Sequence, residues 1–195
     1  MTNATHPATP GPLGHLLDNR AIEHFDEVVE RGAEALRGRG PADRLFYGLS
    51  MVGDHGTVWH VIGAGRVALG QESLSTALNR SIALGLEALV LNGPIKWLFR
   101  RSRPVVDGDR PLHLRTPRTS SFPSGHSSSG IFSAMLLART TRVKWPWYVL
   151  GAAIGWSRVH VRIHHPSDVV GGYLAGWALG RIAVRILDAL DAAER

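Results

Sequence analysis

Apolar positions recur at helical spacing over residues 20–37, at Ile22, Phe25, Val29, Ala33 and Leu36. Glu23, Asp26, Glu27, Glu30 and Glu34 fill most of the other face, so the pattern predicts an amphipathic helix within residues 20–40. Gly38, Gly40 and Pro41 stop it. Packed on a domain it is a surface helix; laid on a bilayer its acidic face is a poor partner for lipid headgroups. Residues 1–19, rich in Thr, Ala, Pro and Gly, read as a flexible tail without the basic-then-apolar pattern of a cleavable signal peptide.

From residue 45 the texture changes. Leu45–Gly65 contains no Lys or Arg and is interrupted by Asp54, His55 and His60. Ser81–Phe99 carries Glu87 and Lys96 inside an apolar run. Ser127–Ala138, Trp145–Trp156 and Val169–Leu187 complete the series, the last rich in Gly and Ala. Small residues suit closely packed membrane helices, although several runs fall short of the ~20 residues a span needs. No strand-like alternation and no internal repeat appears. The pattern predicts an all-α, membrane-embedded bundle over residues 45–190, with about five core apolar helices behind the N-terminal amphipathic one. A compact soluble bundle is the alternative.

Composition sharpens this reading. The chain of 195 residues has 22 Lys and Arg against 16 Asp and Glu, a formal charge of +6, which favours an anionic partner. Mean hydropathy is −0.02, an average over a polar tail, a polar loop and strongly apolar helices. There is no cysteine, which excludes disulfides, thiolate catalysis and Cys-built metal centres. Aromatic residues lie within the apolar runs and are not interleaved with Arg, which disfavours a nucleic-acid stacking platform.

Three polar blocks interrupt the apolar runs. In Lys96-WLFRRS-Arg103-Pro104, Lys96 and Arg103 are candidate phosphate cations within a basic loop that also holds Arg100, Arg101, Arg110, Arg115 and Arg118. Ser102, Trp97 and His113 take no role. Pro123-Ser124-Gly125-His126 opens a helix whose first amides and dipole attract an anion. Ser124 is a further donor there, Gly125 allows close approach, and His126 is placed to protonate a leaving oxygen. Read blandly, the same tetrapeptide is only an N-capped helix start. In Ser157-Arg158-VHVRI-His164-His165-Pro166-Ser167-Asp168, Arg158 offers a planar fork for phosphate oxygens. Asp168 can fix the tautomer of His164 and raise the basicity of its other nitrogen, or simply hold it in a structural hydrogen bond. His160, His164 and Asp168 recur every four residues, a metal-like spacing that Pro166 breaks, so no metal is expected.

Together the blocks resemble the signature of the type 2 phosphatidic acid phosphatase (PAP2) superfamily, KxxxxxxRP, PSGH and SRxxxxxHxxxD, in order and spacing. The resemblance implies a helical bundle of the PAP2/haloperoxidase type that brings the blocks together at one end. It implies phosphate binding by Lys96, Arg103, Ser124, Gly125 and Arg158. His164 would attack phosphorus to give a phosphohistidine, Asp168 would orient it, and His126 would protonate the leaving group, with no metal or other cofactor. The short linkers and apolar helices look like a small bacterial membrane enzyme acting on a lipid phosphate or pyrophosphate of the polyprenyl, phosphatidylglycerol phosphate or phosphatidate type. The expected partners are this lipid and the membrane, not nucleic acid; a soluble acid phosphatase of small phosphoesters is the runner-up. If each run is one span, the blocks share a side opposite Arg139, Arg142 and Lys144. Placing those three in the cytoplasm makes the protein multi-pass with an extracytoplasmic active site, while the still larger number of arginines on the catalytic side counts for the reverse orientation.

Overall fold

The computed structural model describes residues 9–105, 112, 114, 117 and 119–193. Arg110, Arg115, Arg118 and His113 lie outside the described residues. Among the described residues the chain is helical, without strands. Helices α1 (Arg20–Glu34), α2 (Gly40–Val52) and α3 (Thr57–Ala68) precede α4, which runs over Leu74–Phe99. Then come α5 (Gly125–Thr140), α6 (Trp145–His160) and α7 (Pro166–Ala193).

Asn19 caps α1 by accepting from the Ala21 amide at 2.8 Å. Pro41, expected only to end this helix, instead sits in the first turn of α2, where its missing N–H costs nothing. The buried face of α1 also differs from the sequence pattern. Ala33 is buried, but so is Asp26, while Phe25 stays 41% exposed. The polar partners that Asp26 finds across the fold, described below, rotate the helix this way. Within the segment expected as a tail, residues 9–19 run along the end of α4. Gly11 N donates to Phe99 O at 3.1 Å and Leu13 N to Leu98 O at 2.8 Å.

The apolar run Leu45–Gly65 is not one span. It breaks where His55 and Gly56 adopt left-handed backbone, with φ of 55° and 69°. Both ends of α2 meet the same end of the bundle, through Asp43 on His160 and Ser50 on Arg158 and His126. From the break, α3 crosses toward the far end, where Arg66 donates to Thr140 O at 3.5 Å. Helix α4 also departs from regularity. Pro94 cannot donate to the helix and crowds the carbonyl four residues before it, and Leu91–Ile95 forms a π turn.

At the centre, α5 packs against α6 and α7, and its serines, glycine and leucines are buried around most of its circumference. Leu136, Leu137 and Ile154 are fully buried and join Trp59, Leu84, Phe132 and Leu187 in one core. Two glycine contacts set the spacing. A Cβ at Gly130 would sit 2.7 Å from Gly151 O, and one at Gly176 would collide with the Ser128 carbonyl. At the far end Arg139 pairs with Asp188 at 2.8 Å and Asp191 at 2.7 Å. Helices α4 and α7 are long and apolar enough to cross a membrane, and only 22% of the apolar window of each is buried.

Gly130→Val should destabilise the protein by ~1–3 kcal/mol through overpacking at this crossing. Gly32→Ala, where nothing lies within 4 Å of an added Cβ, should leave stability unchanged or slightly higher. Thermal unfolding midpoints of detergent-purified protein check the pair.

Candidate active site

The three blocks converge at one end of the bundle. Lys96 follows the π turn of α4, and Arg103 lies in the loop after it. Ser124 caps α5, with its Oγ accepting from the Ser127 amide at 3.4 Å, and Gly125 and His126 open that helix. Arg158 ends α6, Asp168 lies in the first turn of α7, and His164 sits between them. A cavity of about 840 Å³ opens here, lined by Lys96, Arg103, Gly125, His126 and His164 among others. Ser124, Arg158 and Asp168 are fully buried just behind this wall and not on it.

His164 is held from three directions. Its backbone amide donates to Arg158 O at 3.2 Å, which folds the 161–165 turn back onto α6. Its Nδ1 faces Asp168 Oδ2 at 3.4 Å, and its Nε2 lies 3.1 Å from Arg103 Nη1. A guanidinium can only donate, so Nε2 carries the lone pair and Nδ1 the proton given to Asp168. The imidazole therefore presents a basic nitrogen to the cation-lined cavity. Arg103 Nη1 also donates to Ile163 O at 3.0 Å, and Nη2 donates to the carbonyls of Thr119 and Ser120 at 3.2 and 3.3 Å. Lys96 Nζ donates to Thr119 Oγ1 at 3.3 Å.

His126 approaches from the opposite wall. Its Nε2 lies 3.1 Å from both the Ser50 carbonyl and Asp54 Oδ1, so Nε2–H is the donor and Nδ1 remains for proton exchange. The amides of Gly125 and His126 are the first two of α5, which no intrahelical carbonyl reaches. A Cβ at Gly125 would meet Asn92 Oδ1 at an ordinary 3.6 Å, so the glycine opens the wall instead of relieving a clash. Glu87, bonded by Ser128 Oγ, also lines the cavity.

Electrostatics follow from this packing. Burial, reinforced by the charges of Arg103 and Arg158, holds the His164 imidazole well below its ordinary range against the opposing bond to Asp168. Burial brings Arg103 down to about 10, with Asp168 opposing. Burial raises Asp54, but the hydrogen bond from His126 and the neighbouring positive charges outweigh it and leave the carboxyl below the usual value.

Several residues here escaped the sequence reading. Asp54 was visible only as a break in an apolar run, flanked by Gly53 and Gly56, and Ser50 gave no signal. Arg101, grouped with a solvated basic loop, is instead half-buried between Asp26 and Asp168 at 2.8 and 2.7 Å. His160 does not share a site with His164, since its Nε2 binds Asp43 at 2.8 Å.

Residues 76–191 match the family model of the PAP2 superfamily. The decaprenylphosphoryl-5-phosphoribose phosphatase of Mycolicibacterium smegmatis is 35% identical over 151 residues, 75% of this chain and 80% of that protein. The undecaprenyl-diphosphatase BcrC of Bacillus subtilis is 31% identical over 109 residues, 54% of this chain and 55% of that one. Among solved structures, the transmembrane PAP2 type phosphatidylglycerolphosphate phosphatase of Bacillus subtilis superposes with a TM-score of 0.68 at 24% identity, over 91% of both chains. Aquifex aeolicus LpxE gives 0.66 at 22%, over 86% of this chain and 97% of that one.

Proposed function

The chain belongs to the PAP2 superfamily of phosphatases, and from that premise we propose that it hydrolyses a polyprenyl-linked phosphate or diphosphate at the membrane through a phosphohistidine on His164. The observation that carries this reading is the His164 Nε2 lone pair, fixed by Asp168 behind it and aimed among Arg103, Lys96 and the start of α5. The names of the curated relatives favour polyprenyl carriers over phosphatidylglycerol phosphate or phosphatidate.

In the proposed reaction Lys96, Arg103 and the Gly125 amide hold the phosphate oxygens, while Arg158 and Ser124 act from just behind them. His164 Nε2 attacks phosphorus and the P–O bond to the lipid breaks. His126 gives its proton to the leaving oxygen, and Asp54 holds the ring in place. Water, deprotonated by His126, then attacks the phosphohistidine; the N–P bond breaks and inorganic phosphate leaves. The cations supply the charge stabilisation throughout.

Exposed apolar faces favour a membrane enzyme over a soluble one. Leu78, Ile82 and Leu86 of α4 and Leu174, Ile182 and Ile186 of α7 are each more than half exposed, a patch that water would penalise. We place α3 to α7 across the bilayer with the active site on the extracytoplasmic side, opposite Arg139, Arg142 and Lys144.

Detergent-purified protein offered a panel of lipid phosphates and diphosphates should release phosphate from polyprenyl substrates in the presence of EDTA. His164→Ala should lower kcat by about a thousandfold or more, and normal turnover in that variant would end the mechanism. The depressed His164 imidazole also predicts a pH profile. Attack needs the neutral ring, and a lowered pKa keeps it neutral further into acid, so the acid limb of kcat/KM should lie below pH 6.5. An acid limb at or above 6.5 would contradict this assignment.

A further inference from the structure

We propose that Arg101 and Asp26 form a clamp that positions Asp168, and through it His164, so that the N-terminal helix is part of the catalytic support. The proposal rests on the assignment of His164 as nucleophile. Asp26 lies on α1, at residue 26, outside the 76–191 match to the family model.

The geometry is a closed set of bonds. Arg101 Nη1 donates to Asp168 Oδ1 at 2.7 Å and to Ser167 Oγ at 2.7 Å, and Nη2 donates to Asp26 Oδ2 at 2.8 Å. Asp26 accepts the Ser167 amide on Oδ1 and the Ser167 hydroxyl on Oδ2, both at 2.7 Å, so it caps the first turn of α7. The other Asp168 oxygen, Oδ2, takes the His165 amide at 2.9 Å and faces His164 Nδ1. Both carboxylate oxygens are thus assigned. One is anchored by Arg101, which fixes the plane in which the other meets the imidazole. A planar fork can hold two carboxylates and a hydroxyl at once, which an ammonium cannot do with the same geometry.

Arg101 is a positioning residue and not a phosphate cation. It is absent from the cavity wall, and its Nη atoms face carboxylates and Ser167. Its backbone is pinned too: Arg101 N donates to Ser120 Oγ at 3.0 Å, and Arg101 O accepts the Ser121 amide at 2.9 Å. The charged groups around the His164–Asp168 pair are then Arg103 and Arg101 from the loop after α4, Lys96 from α4, Arg158 from α6, His165 beside it and Asp26 from α1.

The test compares Arg101→Gln, Arg101→Lys and Asp26→Asn with the unaltered protein. One readout is steady-state kinetics on a lipid phosphate. The other is the pH dependence of His164 modification by diethyl pyrocarbonate, read by peptide mass spectrometry, which needs no turnover. Arg101→Gln should lower kcat about ten- to hundredfold with KM within about twofold, the cost of a misplaced reacting group. Loss of the cation favours the protonated ring, so the His164 titration should move to higher pH. Arg101→Lys should restore the titration but only part of kcat; Asp26→Asn should lower kcat at unchanged KM more weakly than Arg101→Gln, and the loss of its negative charge should move the His164 titration to lower pH. Wild-type kcat and titration in Arg101→Gln would overturn the clamp, as would a raised KM at unchanged kcat, which marks a substrate cation. Should Arg101→Gln not fold, the near-isosteric Asp26→Asn carries the decision, and wild-type behaviour there overturns the proposal. If the unaltered protein hydrolyses no lipid phosphate, the functional reading fails, while the His164 titration still decides the clamp.

Discussion

A carboxylate with no exposure at the end of a helical bundle must be fully paired, and the buried Asp168 imposes that condition on everything around it. Its side chain takes a guanidinium, an imidazole and a backbone amide, and its carbonyl takes the Ser124 amide at 2.9 Å. That last bond ties the first turn of α7 to the first turn of α5. The helix start that faces the cavity and the helix start that carries Asp168 are therefore joined at the residue that orients the proposed nucleophile. The close backbone approach of Gly172 to Ser124, where any Cβ would collide with the carbonyl, is the steric side of the same junction.

Much of this was legible in the chain. The spacing of the polar blocks marked Lys96, Arg103, His126 and His164, and all four line one cavity. Pro166 marked the break that separates His160 from Asp168, and the helices begin and end near the polar blocks. Burial was harder to read. Periodicity put Asp26 on a solvated face and Phe25 in the core, whereas the structure reverses them, because a salt bridge across 75 positions outweighs the exposure of one aromatic ring. Arg101 was one arginine of a basic loop, and nothing local distinguishes an arginine bound for a buried carboxylate from one bound for water. Asp54 and Arg158 carry the same lesson: their partners, His126 and Ser50, lie 72 and 108 positions away in the chain.

The segment before residue 76 turns out to bracket the turn that carries His164. On one side Arg37 donates to the carbonyls of His160 at 2.8 Å and Val159 at 2.7 Å at the buried C-terminal end of α6, and Asp43 binds the His160 ring. On the other side Asp26 caps α7. A short turn between two helix ends is held at both ends by side chains from α1, α2 and the connection between them. Its left-handed residue, Arg162, is itself paired with Glu34 of α1.

The π turn of α4 has an evolutionary reading. In a regular helix residues nine apart, such as Glu87 and Lys96, lie about half a turn from one another around the axis. The wider turn at Leu91–Ile95 alters that phase, and both side chains reach the same cavity. The turn takes in one residue beyond the ordinary winding, so Lys96 stands about where an eighth residue after Glu87 would stand, roughly 80° from it around the axis. A helix that widens one turn in this way can hold an inserted residue without losing the register of the side chain at its end, so the chemistry at Lys96 tolerates a change of length in the element that carries it.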